Sequence, residues 1–483
     1  SVWPRRRHLA LALGLATVIL GTSVLWPTGD QETIAVLPFV NRSGDPANEY
    51  FTDGMTEELI TSLGSVDGLR VVARTSAFAF RGKDVDVREI GDRLGAGLVL
   101  EGSVRQSGER VRLDARLVRA SDGYQLWSDA FDGQLGDAFA LQEQLAARIV
   151  RELRMELGAG RGDGGGRDTR DAEARTLYLK GRYVMYGRGR EGLEQAVTYF
   201  RRALERDSSY ARAWAGLADS YARFGSMGYL PHAQVFPQAR AAASRALSLD
   251  DGLAEAHTAL AYALVSERDF RGGEQHFRRA IQLAPSHADA HHWYGFMLAA
   301  TGRVEDGLRE LGLARELDPL SMQIGSALGR ALIYARRYDR AIEHYEELLE
   351  LRPDLAALHF GIGVAQLENG HHTAAIAAAR RALEIDPESQ SALALLACAQ
   401  ARGGDREAAL SIARRLESSP TGLGLFYIAA IHSVLGNRDE ALHWLERAYR
   451  EEPSWLISMT VEPWLAPLRT DPRFGALRSR MGL

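Results

Sequence analysis

Pro285, Pro319, Pro353 and Pro387 stand 34 residues apart, and Pro420 and Pro453 continue the series at 33. This period constrains the chain more than any other feature. A unit of that length is one supersecondary element, too small to bury its own apolar face. It must stack on copies of itself. Other positions keep the same register. Trp214, Leu217, Ala218 and Tyr221 open one unit, and Ala196, Phe200 and Ala203 fill the second half of another, as do Ala441, Leu445 and Ala448. Gly295, Gly329 and Gly363 recur where two helices of a unit must approach closely.

This pattern resembles the tetratricopeptide repeat (TPR), W-x2-L-[GA]-x2-Y followed by A-x3-F-x2-A. The spacing predicts eight repeats, at 174–209, 210–253, 254–287, 288–321, 322–355, 356–389, 390–421 and 422–455. The second is over-long, and Gly228, Pro231 and Pro237 predict a lengthened turn there. Residues 456–483 leave the pattern but keep Trp464, Leu468, Phe474 and Leu477, as expected of a C-terminal cap. The resemblance implies protein or peptide binding on a concave face lined by the first helix of each repeat. Asp219, Arg223, Tyr262, His292, Phe296, Arg330, Tyr334 and Phe360 occupy groove-facing positions. Tyr262, His292, Phe296, Arg330, Tyr334 and Phe360 form the candidate partner site, because aromatics mixed with Arg are enriched in binding hot spots. The competing expectation is that these rings pack between helices.

Ahead of the repeats, residues 31–157 predict a small α/β domain with element order βαβαβββα. Residues 33–39 and 69–73 read as short strands and residues 49–64 as a helix with Phe51, Met55, Leu59 and Leu63 inward. In residues 109–118 Val111, Leu113, Ala115 and Leu117 alternate with Arg110, Arg112, Asp114 and Arg116, a half-buried strand. The stretches IAVLPF, EYFTDGMTEELI, VVARTSAFAFRGK, GLVLEGSVR and LWSDAFD resemble the TolB-like amino-terminal domain. That domain often stands between a membrane helix and TPRs in bacteria, and the resemblance brings no catalytic residues. Asp53, Glu57 and Glu58 are a carboxylate cluster, expected to serve the helix macrodipole rather than a metal.

Residues 158–173 begin with a glycine-rich run that predicts a linker. Residues 1–30 carry Arg5, Arg6 and Arg7 and then eighteen uncharged residues from Leu9 to Trp26. That is the lower end of what spans a hydrocarbon core of about 30 Å. The arginines predict an inside N-terminus. The expected fold class is therefore multidomain: a transmembrane helix, a small TolB-like α/β domain and an all-α superhelix. The expected location is single-pass in a bacterial inner membrane, with 31–483 periplasmic. A cleaved signal peptide is the rival, though no A-x-A site follows the run.

Composition narrows the function. The net charge is −5, so no basic excess draws the chain to nucleic acid. Only Lys83 and Lys180 are lysines, and neither stands in a phosphate-loop motif. The lone Cys398 excludes an internal disulfide framework, and no cofactor or metal is expected. His287 and His291 share one helical face at i, i+4 but lack a third ligand. The chain reads as a non-enzymatic sensor or scaffold. The alternative is the exported sensory arm of a larger signalling protein, with a Ser/Thr kinase, nucleotide cyclase or winged-helix domain upstream of Ser1.

Overall fold

The computed structural model describes residues 32–108, 110–134, 138–152, 169–187, 189–418 and 422–483. The predicted membrane anchor and most of the glycine-rich linker lie outside the described residues. Among the described residues no helix is long and apolar enough to cross a membrane. The fold class is corrected accordingly to a mostly helical repeat superhelix carrying a small N-terminal sheet region. The single-pass inner-membrane assignment goes with the anchor and is withdrawn.

The sheet region runs β1 (Glu32–Val36), β2 (Val40–Asn41), α1 (Glu49–Gly64), β3 (Leu69–Val71), α2 (Arg74–Phe78), α3 (Val87–Leu94), β4 (Leu98–Ser107), β5 (Arg110–Arg119), β6 (Gln125–Gln134) and α4 (Ala138–Glu152). Strand order is β3-β1-β4-β5-β6, with β2 also on β4. β1 is parallel to β3 and β4, while β4, β5 and β6 form an antiparallel meander. Side chains alternate across the pleat, so Ile34, Val36, Leu98 and Leu100 face α1 and α4, whereas Ala35 and Val99 face α3. On β5 the predicted alternation holds: Val111, Leu113, Ala115 and Leu117 are buried and Arg110, Arg112 and Arg116 are exposed.

Eight helix pairs follow. They are Ala172–Met185 with Gly189–Arg206, Ala211–Ser226 with His232–Leu249, Ala254–Ser266 with Phe270–Leu283, and Ala288–Ala300 with Val304–Leu317. Then come Met322–Tyr334 with Tyr338–Leu351, Ala356–Glu368 with His372–Ile385, Gln390–Arg402 with Arg406–Glu417, and Gly422–Val434 with Arg438–Glu451. Repeat 2 absorbs its extra residues mainly in longer helices, 16 and 18 residues against 13 and 14 in repeat 3. A Cβ on Gly329 would stand 2.5 Å from the Tyr345 ring, which is why the helices of repeat 5 close only on glycine there.

The apolar core does not stop at the end of the sheet region. Leu59, Leu63, Leu100, Leu113 and Leu145 belong to the same buried cluster as Leu177, Tyr178, Phe200 and Tyr210 of the first repeats. Residues 32–483 form one compact unit.

Candidate functional site

The first helices of the repeats form the inner face of the array, and the chain itself covers that face from both ends.

At the N-terminal end the cover is α1 with β3. The period of α1 puts Phe51, Met55, Leu59 and Leu63 against the sheet and leaves Glu57 and Glu58 facing the array, with Asp53 turned to Arg74 and Arg81 of the sheet region itself. All three carboxylates are buried. Glu57 pairs with Arg182 of repeat 1 and lies 3.4 Å from Arg74. Glu58 pairs with Arg212 of repeat 2 and accepts the Tyr178 hydroxyl at 3.2 Å. Asp53 pairs with Arg81. Burial pushes the Asp53 and Glu58 carboxyls above their usual range, against the pull of the arginines. Glu57 and Glu58 are therefore docking groups, a larger role than the macrodipole expected of them, while Asp53 ties α1 to Arg81 within the sheet region. Ser286, at the end of repeat 3, caps the edge strand. Its Oγ donates to Leu69 O and accepts from Val71 N, both at 3.1 Å. Ala73 N donates to Leu317 O at 2.7 Å, and the Ser76 hydroxyl donates to Asp318.

At the C-terminal end the cover is the segment after repeat 8. It forms short 3-10 turns at Pro453–Leu456 and Pro463–Leu468, then a helix at Pro472–Met481. Pro463 and Pro467 keep it from continuing the repeat pattern after Pro453. It turns back over the inner face. Trp455 packs on His232 of repeat 2, with ring centroids 5.0 Å apart. Ile457 joins the cluster of Tyr262, Trp293, Tyr294 and Phe277. Glu462 lies 3.6 Å from Arg330 and accepts the Tyr334 hydroxyl at 3.4 Å. Trp464 meets Phe360 nearly edge-on at 6.3 Å and also packs on Tyr427.

The six candidate residues can now be placed. Tyr262, Arg330, Tyr334 and Phe360 meet the C-terminal segment. Arg330 also sits over the Phe360 ring at 5.2 Å. His292 is buried against Trp293, at 4.4 Å between centroids, and burial drives its imidazole down to about 4. Phe296 is half-buried, edge-on to Trp293 at 6.4 Å. Phe360 is 5% exposed, so it is packed on both sides.

Between the sheet region and the first helices of the early repeats a cleft of about 140 Å³ remains, lined by Arg74, Tyr186, Arg223, Glu255, Trp293 and Asp318 among others. Its arginines are engaged. Arg223 pairs with Asp219 at 3.0 Å and Asp289 at 2.9 Å. Arg74 lies over the rings of Phe78 and Tyr186. Among the described residues no cluster of three or more His, Cys, Asp or Glu could hold a metal. His291 bonds instead to Glu310 at 2.7 Å and to Pro285 O at 3.0 Å. Cys398 is buried, and burial pushes its thiol up.

Sequence reasoning singled out Glu57 and Glu58 but assigned them to the helix macrodipole, and it missed Arg182, Arg212 and Glu462. A signal existed for the two α1 glutamates, because they sit beside Asp53 at helical spacing, away from the apolar stripe. Glu462 had none, since it lies outside the periodic region.

Residues 188–228, 258–320 and 326–390 match the family model for tetratricopeptide repeat. Residues 30–148 match that for the second domain of HilA/YgeH-like transcriptional regulators. The TolB-like resemblance finds no such support. The chain is 41% identical over 189 residues to putative adenylate cyclase 3 of Rhizobium meliloti, covering 38% of this chain and 32% of that protein. It is 24% identical over 172 residues to the transcriptional regulator HilA of Salmonella typhimurium, covering 36% of this chain and 31% of that protein. The chain thus spans about a third of the length of these curated relatives. Among solved structures, YrrB, described as a TPR protein with an unusual peptide-binding site, is 21% identical at a TM-score of 0.31, covering 40% of this chain and 95% of that one. The helical part of this chain is a tetratricopeptide repeat array.

Proposed function

We infer that this chain is a non-enzymatic regulatory arm that engages protein or peptide partners through the inner face of its repeats and serves a larger signalling protein. TPR arrays in general bind proteins or peptides. One observation carries the finer reading. Relatives named for two unlike activities, a cyclase and a transcriptional regulator, each share only about a third of their length with this chain. A chain that matches stretches of two such unlike effectors reads as a control part. The continuous core between sheet region and array supports the same reading, because a partner that strains one would be felt by the other.

The test has two arms on the purified chain. Incubation with ATP and Mg2+ should yield no cyclic AMP, and its formation would overturn the non-enzymatic reading. A partner isolated by crosslinking should bind in a purified pair, and Arg330→Glu should weaken that binding at least fivefold. Undiminished affinity would move the site off the inner face.

A further inference from the structure

The C-terminal segment meets the inner face as a ligand meets a receptor. It is not a repeat: its first 3-10 turn leaves the second helix of repeat 8 and its second packs on the first helix of that repeat. Three of its side chains find three kinds of pocket, in chain order. Ile457 enters the apolar cluster around Tyr262 and Trp293. Five residues on, the Glu462 carboxylate lies against the Arg330 guanidinium and the Tyr334 hydroxyl. Two residues further, the Trp464 indole fills the space between Phe360 and Tyr427. Arg330 reads both, since its guanidinium also covers Phe360. Glu462 is 2% exposed and Trp464 1%, so both anchors are desolvated as hot-spot residues are.

From this contact we propose that the inner face from repeat 3 to repeat 8 is a receptor for an extended peptide carrying an apolar residue, a carboxylate and an aromatic ring in the spacing Ile-x4-Glu-x-Trp, and that residues 453–468 are its tethered occupant. The proposal rests on the peptide-binding reading above and names the partner's chemistry. The complementarity is specific: an acid meets the one arginine among the six candidate positions, and apolar groups flank it on both sides. Tethering gives the tail an effective concentration in the millimolar range, so a free peptide reaches the face only when the tail is weakened or the rival is strong.

The experiment uses the full chain and a labelled synthetic peptide of residues 453–469. In one variant Glu462→Ala and Trp464→Ala weaken the tail while the receptor residues stay as they are. The peptide should bind this variant at least tenfold more tightly than the unaltered chain and raise its melting temperature. Adding Arg330→Glu should remove the binding, and a peptide carrying E462R should restore it. That charge swap separates lost pairing from lost folding. The milder Glu462→Gln chain keeps the tail's shape and should bind the peptide to an intermediate degree. Equal affinity for weakened and unaltered chains, or a loss at Arg330→Glu that the swapped peptide does not recover, would overturn the proposal. If partner capture survives that outcome, only the tail's likeness to the partner falls, and the regulatory-arm reading stands.

Discussion

The two covers of the inner face are built on opposite principles. At the sheet end the contact is ionic and hydrogen-bonded at its centre: Glu57 with Arg182, Glu58 with Arg212, and Ser286 on the edge of β3. At the tail end a buried ion pair, Glu462 with Arg330, sits among aromatic rings, and the pairs of Arg473 with Asp439 and Arg480 with Glu446 lie at the exposed rim. Buried ion pairs contribute little net stability, because desolvation cancels most of the attraction, but they penalise any other register. Buried rings do the reverse, giving much stability and little direction. The sheet region thus shares an apolar core with the first repeats and is aligned on them by buried charge, whereas the tail is held by packing around one buried ion pair.

Truncation at the tail should have the largest effect. Trp464→Ala removes a side chain that is 1% exposed between Phe360 and Tyr427, and a large cavity follows. The expected loss is about 3–5 kcal/mol. Phe360→Ala should cost a similar amount. The two together should fall short of the sum, because they share one contact. Urea unfolding of the three variants measures this. A near-neutral Trp464→Ala would mean that the tail is not held by packing, and the contrast between the ends would collapse.

The sheet end should respond differently. Arg182→Met leaves Glu57 buried with only Arg74 nearby, and should cost about 3 kcal/mol. Removing both partners, with Glu57→Leu added, should recover most of that, since a matched apolar pair needs no desolvation. The same double replacement at the tail, Glu462→Leu with Arg330→Met, should be just as well tolerated in stability. If the Glu57→Leu, Arg182→Met chain stays as unstable as the single variant, the sheet end is held by its ion pair, contrary to the argument.

How much of this was legible in the sequence differs between the same two regions. The array was, because a period of 34 residues repeats its own evidence, and the alternation of β5 declares one buried face. What fills the inner face was not. Glu57 and Glu58 look like ordinary helix carboxylates until Arg182 and Arg212, more than a hundred residues on, come to meet them. Long-range ion pairs leave no local periodicity. The tail is harder still. Trp464 and Leu468 announce burial but not against what, and packing between Phe360 and Tyr427 is a property of the superhelix's curvature rather than of any window of sequence. The membrane expectation rests on residues 1–30 alone, and no helix among the described residues repeats their character.

A third prediction uses pH at the sheet end. Asp318, hydrogen-bonded to Ser76, is buried, and its carboxyl is pushed up to about 6 by desolvation, with Asp289 adding to the rise and Arg315 opposing it. A raised carboxyl binds its proton more tightly folded than unfolded. Its contribution is complete below the unfolded value near 4 and is lost as pH rises through 6. Each tenfold gain in proton affinity is worth about 1.4 kcal/mol, so the loss comes to roughly 2–3 kcal/mol. Asp318→Asn should remove that dependence. The variant should therefore gain stability relative to the unaltered chain between pH 4.5 and 7.5, as read by unfolding midpoints. A constant difference across that range would show that Asp318 is charged throughout.

The smallest effect belongs to the rim of the same contact. Arg70 of β3 and Glu316 of repeat 4 pair at 2.8 Å, but their side chains are 36% and 44% exposed. Water screens such a pair, and holding two long side chains together costs entropy, so the net interaction is about 0.2–1 kcal/mol. A double-mutant cycle with Arg70→Ala and Glu316→Ala should give a coupling in that range, shrinking further in 1 M salt, where charges are screened beyond about 3 Å. The Glu57–Arg182 pair, shielded from solvent, should keep its coupling in the same salt. If the two couplings fall together, both pairs are open to water, and the sheet region is not docked as closely as its buried carboxylates indicate. If only the rim pair weakens, the centre of the contact is dry, and positioning by charge is confined to Glu57, Glu58 and their two arginines.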